Sequence, residues 1–303
     1  MNFVCWNIGG LSSDKFRSVQ DFLAGFDVVC LQETWLEGGT ESRFELPNHS
    51  QIGVVAAIRR GERGRRAGGM LLFISKKIEP YTVKIDVPFL RNNMLWLDYT
   101  PLSGNRYVIG FLYNPPKDSP FAISDVYEQL HMGLEYATRR VDSLNNQDLT
   151  VVILGDHNAR TGQSPDVDEE MQEGAFQPEL FETTEDYQLP PRRSFDTVIN
   201  HYGRCLLELC KGTDLKVMNG RVEGCNDGFT FIGSAGRSTI DYALVNASSW
   251  SLVQNMTIHS RVESDHLPLS ISFWGDVVNT TNNVGSTDDD VTYQIKRFRW
   301  NTK

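Results

Sequence analysis

Short apolar runs recur along the chain and are separated by turn residues. Each run is four to seven residues long, the length of an ordinary strand. The predicted strands are residues 3–7, 28–32, 53–58, 70–75, 95–100, 107–113, 151–154, 229–232, 240–245 and 269–273. This many short strands in one chain predict two packed sheets.

Helical periodicity is clear in three segments. Val126, Leu130, Leu134, Ala137 and Val141 fall three or four residues apart, as on the buried face of one helix. Shorter helices are predicted over 15–23 and over 204–211, the latter ending at a glycine. Sheets with helices outside them predict a layered α/β domain.

Two segments have the composition of loops. Residues 59–66 contain five arginines and two glycines, and they form either a solvated hairpin tip or an arginine contact to phosphates. Residues 166–186 contain nine acidic residues and no Lys or Arg, which predicts a flexible, solvated insertion within about 163–195. Residues 276–303 change composition and are predicted to be a flexible linker or tail.

Charge and composition narrow the class of protein. A net charge of −10 and a pI near 5.1 argue against a protein that coats nucleic acid through bulk positive charge, so any such contact must be local. No stretch approaches the roughly 18 apolar residues that cross a bilayer, and no leader-like segment follows Met1, so we expect no membrane partner. Five cysteines without a C-x-x-C pair favour a reduced, intracellular protein.

Polar residues stand where several predicted strands end. Asp156 and Asn158 follow the apolar run 151–154 and share one face of an extended segment. A carboxylate that takes a proton from water, beside an amide that holds a phosphate oxygen, suits phosphodiester hydrolysis, although Asp and Asn after a strand also form turns. Glu33 ends another run and is either a solvated charge or a Mg²⁺ ligand.

The later part of the chain adds a carboxylate–imidazole set. Asp241 lies in an apolar strand, where an unpaired carboxylate is costly to bury. Asp265 and His266 come just before the last strand, and Asp241 could hold one ring N–H of that histidine. Tyr113 ends a strand before a proline turn and is either a half-buried aromatic or a hydroxyl that reaches a phosphate.

Taken in order, these motifs resemble the endonuclease/exonuclease/phosphatase superfamily over residues 2 to about 274. The shared elements are Trp6-Asn7, Gln32-Glu33, Tyr113, Gly155-Asp156-x-Asn158, Ile240-Asp241-Tyr242 and Ser264-Asp265-His266. Longer strings at 64–69, 155–162, 203–210 and 217–221 look like the apurinic-endonuclease-like nuclease domain of non-LTR retrotransposons.

The resemblance implies a fold and a set of roles. The fold is a four-layer α/β sandwich over residues 1–275, with two facing, mostly antiparallel sheets flanked by helices. The resemblance implies that Glu33 is the main Mg²⁺ ligand, with Mn²⁺ as a substitute ion, and that Asp265 assists the metal or the histidine. Asp156 would deprotonate the attacking water, and Asn7 and Asn158 would bind phosphate or orient Asp156. Tyr113 would touch the phosphate, Asp241 would orient His266, and His266 would stabilise charge on the phosphate.

Contacts to DNA are expected from four further residues. Arg65 and Arg66 lie in the arginine-rich loop, Arg160 follows the G-D-x-N segment, and Thr230 matches a position beside the DNA in this family. The chain departs from the family at His157, where an aromatic is common. It also departs at Gly9, where repair enzymes have a second acid, which weakens the case for a dedicated abasic-site enzyme.

The expected activity is a Mg²⁺-dependent DNA endonuclease that leaves a 3′-OH nick, as in target-site nicking before reverse transcription by a downstream domain. Such a protein would be monomeric and act in the nucleus. The alternatives are an abasic-site repair endonuclease, a phosphatase or phosphodiesterase acting on phosphoinositides or lipids, and an inactive binding module. The strings before Asp156 and around Asp241 argue against an inositol phosphatase.

Overall fold

Two six-stranded sheets form the centre of the protein in a computed structural model. The structure describes residues 1–59, 64, 66–88, 93–102, 105–142, 149–167, 189–222, 228–234 and 236–274. The first sheet has the spatial order β15 (Val253–Ile258), β16 (Leu269–Phe273), β1 (Asn2–Asn7), β2 (Val28–Gln32), β6 (Met70–Ser75) and β3 (His49–Val55). The second has the order β11 (Leu215–Val217), β14 (Asp241–Asn246), β10 (Leu149–Asp156), β9 (Arg106–Tyr113), β8 (Met94–Tyr99) and β7 (Thr82–Ile85).

Each sheet contains one parallel pair among antiparallel neighbours. The parallel pairs are β1 with β2 and β9 with β10. Small hairpins are formed by β4 (Ile58–Arg59) with β5 (Arg66–Ala67) and by β12 (Phe231–Gly233) with β13 (Gly236–Ser238). The two mixed sheets confirm the predicted sandwich.

Three α-helices in the described part of the chain cover the outer faces of the sheets. Helix α1 (Ser13–Leu23) buries Phe16, Val19 and Leu23 against the first sheet, and Ser12 caps it by accepting from the N–H of Lys15 at 3.1 Å. Helices α2 (Val126–Asp142) and α3 (His201–Gly212) pack on the second sheet. A cluster of buried apolar side chains fills the space between the two sheets. The layers therefore follow the order helix, sheet, sheet, helix. None of the helices in the described part of the chain has the length and apolar character that spanning a membrane requires.

The differences from the predicted strands are mainly at sheet edges. Strands β7, β11 and β15 were not predicted, and each is the outermost or a short strand with polar positions facing water. The run 53–58 was wrong as one strand, because β3 ends at Val55 and Ile58 belongs to a separate hairpin. An edge strand has a neighbouring strand on one side only, so the sequence pattern of apolar residues that identifies a buried strand is weakest there.

The acidic insertion begins inside the fold and not in solvent. Asp166 is fully buried, forms an ion pair with Arg221 and accepts from the N–H of Val217 at 2.8 Å. The prediction of a solvated segment starting at 166 was therefore wrong for its first residue, because a buried guanidinium compensates that charge. Residues 168–188 and the predicted tail 276–303 lie outside the described residues.

Candidate active site

The carboxyl ends of four central strands open onto one cavity of about 820 Å³. Parallel pairing brings the ends of β1 and β2 together, and likewise the ends of β9 and β10. The cavity is lined by Asn7, Glu33, Tyr113, Asp156, Asn158, Arg66, Arg160, Asp265 and His266. Because the two sheets face each other, residues as far apart in sequence as Asn7 and His266 line the same cavity.

Asp156 lies at the floor of this cavity and is almost completely buried. Its Oδ2 accepts from Asn7 Nδ2 at 2.9 Å, and its Oδ1 accepts from the backbone N–H of Asn158 at 2.9 Å. Asn158 Nδ2 also donates to Asp156 at 3.3 Å and to the carbonyl of Asn114 at 2.7 Å. Both asparagines therefore fix the orientation of the carboxylate.

The strand that carries Asp156 can approach its neighbour only because residue 155 is glycine. Gly155 has φ +156°, and a Cβ at this position would lie 1.8 Å from the carbonyl oxygen of Leu112 on β9. Any side chain there would force β9 and β10 apart. The glycine of the G-D-x-N segment is thus required by strand packing.

His266 lies between two carboxylates. Its Nδ1 is 3.0 Å from Asp241 Oδ2, and its Nε2 is 3.8 Å from Asp156 Oδ2 and 3.4 Å from Asn7 Nδ2. Asp156 and Asp241 are direct cross-strand partners on β10 and β14. The indole N–H of Trp6 donates to the His266 carbonyl at 2.8 Å, which anchors the loop before β16.

Electrostatics in this cluster favour a protonated His266 beside a carboxylate whose pKa lies near neutral pH. Burial raises the pKa of Asp156 to about 7, against the opposing effect of His266. Burial also disfavours the imidazolium of His266, but Asp241 and Asp156 outweigh it and raise the pKa of His266 to about 10. The histidine is therefore a cation next to a carboxylate that exchanges protons easily.

Glu33 occupies the other side of the cavity in a strained backbone conformation. Glu33 and Trp35 have φ of +52° and +58°, a region that non-glycine residues rarely adopt. The Glu33 carboxylate accepts from the hydroxyl of Tyr113, the indole N–H of Trp35 and the N–H of Gly68. Tyr113 thus contacts Glu33 directly and also lines the cavity.

The four residues predicted to contact DNA have different surroundings in the structure. Arg66 and Arg160 line the cavity but are paired with Glu37 and Asp196, and Arg160 binds Asp196 through bonds of 2.8 and 2.6 Å. Arg65 lies outside the described residues. Thr230 is fully buried, and its hydroxyl accepts from the N–H groups of Ile240 and Asp241, each at 3.0 Å. Its side chain therefore positions Asp241 and does not face the cavity.

Several residues that hold the site together were not predicted. Gln32 bridges the sheets, Trp35 and Asn114 support Glu33 and Asn158, and Asn200 donates to the Asn158 carbonyl at 2.9 Å while capping α3. Gln32, Trp35 and Asn114 each stand within two residues of a predicted site residue, and this proximity was the available signal. The partners of Gln32 and Asn114 lie far away in sequence, so the roles of these two residues could not be predicted.

The donor chemistry of the cavity suits a hard divalent cation. The carboxylates of Glu33, Asp156 and Asp265 face it, whereas its arginines are already neutralised by Glu37 and Asp196. Asp156, Asp241 and His266 also place ligand atoms within 4.8 Å of one another. The carboxylates of Glu33 and Asp265 offer the oxygen atoms that a hard cation prefers, whereas His266 is already held between Asp241 and Asp156.

Comparisons with known proteins agree with this geometry. Residues 4–266 match the sequence profile of the Endonuclease/Exonuclease/phosphatase family. No curated protein sequence matches the chain.

Many solved structures share the fold, and three of them illustrate the similarity. The AP endonuclease LMAP from Leishmania major has a TM-score of 0.63 at 14% identity, over 89% of this chain and 86% of its own. The 3′ phosphatase NExo from Neisseria, bound to a product DNA hairpin, has a TM-score of 0.55 at 17% identity, over 91% and 100%. The endonuclease domain of TRAS1, a telomere-specific non-LTR retrotransposon, has a TM-score of 0.52 at 14% identity, over 90% and 97%.

Proposed function

Because the chain belongs to the Endonuclease/Exonuclease/phosphatase family, we propose that it is a Mg²⁺-dependent DNA endonuclease that nicks one strand and leaves a 3′-OH. The observation that carries this proposal is the set Asn7–Asp156–His266–Asp241 at the floor of an open cavity. The set pairs a proton acceptor with a cation, as hydrolysis of a phosphodiester requires.

Asp156 is the proposed general base. An ordinary aspartate is too weak a base at neutral pH, but burial raises the pKa of Asp156 to about 7. Asn7 and Asn158 hold the carboxylate so that its remaining lone pairs face the cavity. A water oxygen attacks phosphorus, its proton passes to Asp156, and the bond from phosphorus to the 3′-oxygen breaks.

His266 is the proposed stabiliser of charge on the phosphate. Asp241 holds Nδ1, so the Nε2–H of the imidazolium is directed towards Asp156 at the cavity floor. A fixed cation on a buried side chain interacts more strongly with a phosphate than the same charge in solution, because the local dielectric constant is lower. Tyr113 and Asn158 would contribute hydrogen bonds to the phosphate oxygens.

Glu33 and Asp265 would hold Mg²⁺, or Mn²⁺ in its place. A bound divalent ion neutralises phosphate charge and stabilises the leaving oxygen. It also supplies the local positive field that a chain with net charge −10 lacks.

We further propose that the nick serves target-site priming in retrotransposition, with a downstream reverse transcriptase domain, in the nucleus, by a monomeric enzyme. The support is the similarity of four sequence strings to retrotransposon nucleases and the shared fold with the endonuclease domain of TRAS1.

The direct test is nicking of supercoiled plasmid with Mg²⁺, with Mn²⁺ and with EDTA. We expect metal-dependent nicking that Asp156→Ala reduces by at least about 10³-fold. Asp21→Ala, an exposed acid on α1, is the matched control and should leave the rate unchanged. The product should be extended by a DNA polymerase without prior treatment, because the new end is a 3′-OH.

Other outcomes separate the alternatives. Cleavage of abasic duplex only would establish the repair endonuclease. Absence of nicking at every enzyme concentration would overturn the proposal and direct attention to phosphoinositide and lipid phosphates.

A further inference from the structure

Asn158 has a left-handed backbone conformation at the wall of the catalytic cavity. Its φ is +46°, a value that residues other than glycine rarely adopt, although asparagine tolerates it better than most. Such a conformation persists where surrounding groups hold it in place. It matters here because the backbone N–H and the side-chain amide of Asn158 both donate to Asp156, at 2.9 and 3.3 Å. The orientation of that carboxylate therefore depends on what holds residue 158.

Asn200 forms four hydrogen bonds around this segment. Its Nδ2 donates to the Asn158 carbonyl at 2.9 Å, and its Oδ1 accepts from the N–H of Arg160 at 2.9 Å. Its backbone N–H donates to the Arg160 carbonyl at 2.9 Å. The same Oδ1 accepts from the N–H of Gly203 at 2.7 Å and so caps helix α3. One residue therefore joins the first turn of α3 to the backbone of residues 158–160.

Helix α3 can lie this close to the segment because residue 203 is a glycine. A Cβ at Gly203 would lie 1.8 Å from the Arg160 carbonyl oxygen. Any larger residue would push the first turn of the helix away and lengthen the bond from Asn200 to Asn158. The approach of the helix is thus fixed by packing as well as by hydrogen bonds.

We propose that Asn200 is a positioning residue for the reaction: its amide holds residue 158 in the left-handed conformation and thereby keeps both donors of Asn158 on Asp156. The inference rests on the proposed function and deepens it. Without this bond the Asn158 carbonyl loses its partner, and the backbone can relax to a commoner conformation that turns both donors away from the carboxylate. In this role Asn200 acts through Asn158 and needs no contact with the substrate.

The first test is Asn200→Asp, which keeps the shape of the side chain and its acceptor oxygen but has no N–H to donate. Aspartate caps helices as well as asparagine does, so the melting temperature should stay within about 2 °C of the wild type. We expect kcat for plasmid nicking to fall about 10-fold, since the carboxylate of Asp156 is no longer held in its productive orientation.

Asn200→Ser separates the lost hydrogen bond from the added charge. Serine is a neutral residue and a good N-cap, but its single short hydroxyl cannot cap the helix and also reach the Asn158 carbonyl. We expect kcat to fall about 10-fold and KM to change less than about twofold, because the surface that meets the substrate is preserved. A loss of rate in Asn200→Asp alone would assign the effect to charge and refute the positioning role.

Two further variants serve as controls. Ser12→Ala removes the N-cap of α1, and Asn255→Ser changes an exposed amide on β15. Ser12→Ala should lower the melting temperature and leave kcat unchanged, whereas Asn255→Ser should change neither. If Asn200→Ser loses stability and keeps its kcat, as expected of Ser12→Ala, then Asn200 only caps a helix and the proposal fails.

Hydrogen exchange followed by NMR in EDTA tests the positioning without cleavage. The Asn158 amide hydrogen is bonded to Asp156 and should exchange slowly in the wild type. Its exchange should accelerate at least about 10-fold in Asn200→Asp and Asn200→Ser, while the amides inside β10 keep their rates. This result would support the inference even if plasmid is not nicked, whereas unchanged exchange in both variants would overturn it even if nicking occurs.

Discussion

At the scale of single residues, the site depends on an imidazole held between two carboxylates. His266 carries a proton only because Asp241 and Asp156 overcome the cost of burying it. Removing either carboxylate changes the charge on the histidine and not only its orientation. The pH dependence of the reaction is therefore the sharpest measure of this arrangement.

Asp241→Asn should lower the pKa of His266, because the largest favourable charge is lost. If the imidazolium is the active form, the alkaline limb of kcat/KM moves to lower pH, and the rate at neutral pH falls by about 10²-fold or more. The measurement is plasmid nicking between pH 5 and 10. An alkaline limb at the same pH in both enzymes would contradict a protonated His266, and Asp21→Asn is the control.

His157 shows the opposite effect of burial. Its ring is fully buried, lies stacked on Tyr127 and edge-on to Tyr242, and its Nε2 has no partner among the described residues. Burial lowers the pKa of His157 to about 3. This histidine therefore packs as an aromatic, which is the residue type expected at this position.

His157→Phe should make the protein less sensitive to acid. The unfolded chain takes up this proton below about pH 6.5 and the folded chain only near pH 3, so the wild type loses stability as pH falls through that window. At pH 5 the loss from this residue is about 2 kcal/mol relative to pH 7.5. Guanidinium unfolding followed by tryptophan fluorescence measures it. His131→Phe, on the exposed face of α2, should behave as the wild type.

At the scale of elements, the acidic insertion is tied to the second sheet where it leaves the fold. Arg221 donates to the carbonyls of Val217 and Pro190 at 2.8 and 2.7 Å and pairs with Asp166, whose side chain is fully buried. The pair joins the two ends of the insertion to β11. It is costly to break because each partner would be left as an uncompensated buried charge.

Arg221→Met should lower the free energy of unfolding by about 3–5 kcal/mol, whereas the double variant Asp166→Leu, Arg221→Met should recover most of that loss. Urea unfolding of both variants gives the comparison. Arg17→Met removes an exposed ion pair with Asp14 on α1 and should change stability by less than about 0.5 kcal/mol. Equal effects of the buried and exposed substitutions would show that Asp166 does not need its partner.

At the scale of the whole molecule, one side chain joins the two sheets beneath the site. Gln32 is fully buried at the end of β2, donates to the Leu112 carbonyl of β9 at 2.9 Å and accepts from the Asp156 N–H of β10 at 3.0 Å. The spacing between Glu33 on one sheet and Asp156 on the other depends on this bridge.

Gln32→Leu should therefore impair activity and stability together. It leaves the N–H of Asp156 and the carbonyl of Leu112 unpaired, at a cost of about 1–3 kcal/mol in unfolding free energy. We expect kcat to fall at least tenfold with a smaller change in KM, since the catalytic groups of the two sheets lose their register. Gln254→Leu, exposed on β15, is the control. Full activity in Gln32→Leu would show that packing alone sets the distance between the sheets.

The central strands and the polar residues at their ends were predictable from sequence. Strands β2, β6 and β16 have the predicted bounds, because β2 and β6 are nearly continuous apolar runs and β16 alternates apolar residues with serine. The edge strands β7 and β15 were not predicted because exposed positions dilute that pattern, and β11 was not predicted because it has only three residues. Polar groups that interrupt such runs are costly to bury, which is why Asp156 and Asp241 stood out.

The sequence by itself determined the alternation of strands and helices, and which polar residues interrupt it, because periodicity reports how each segment buries its own face. Only the tertiary fold brings Asn7, Asp156 and His266 together and pairs Asp166 with Arg221 inside the protein. These contacts join residues up to 259 positions apart. They arise from the packing of two sheets, which no local pattern in the chain encodes.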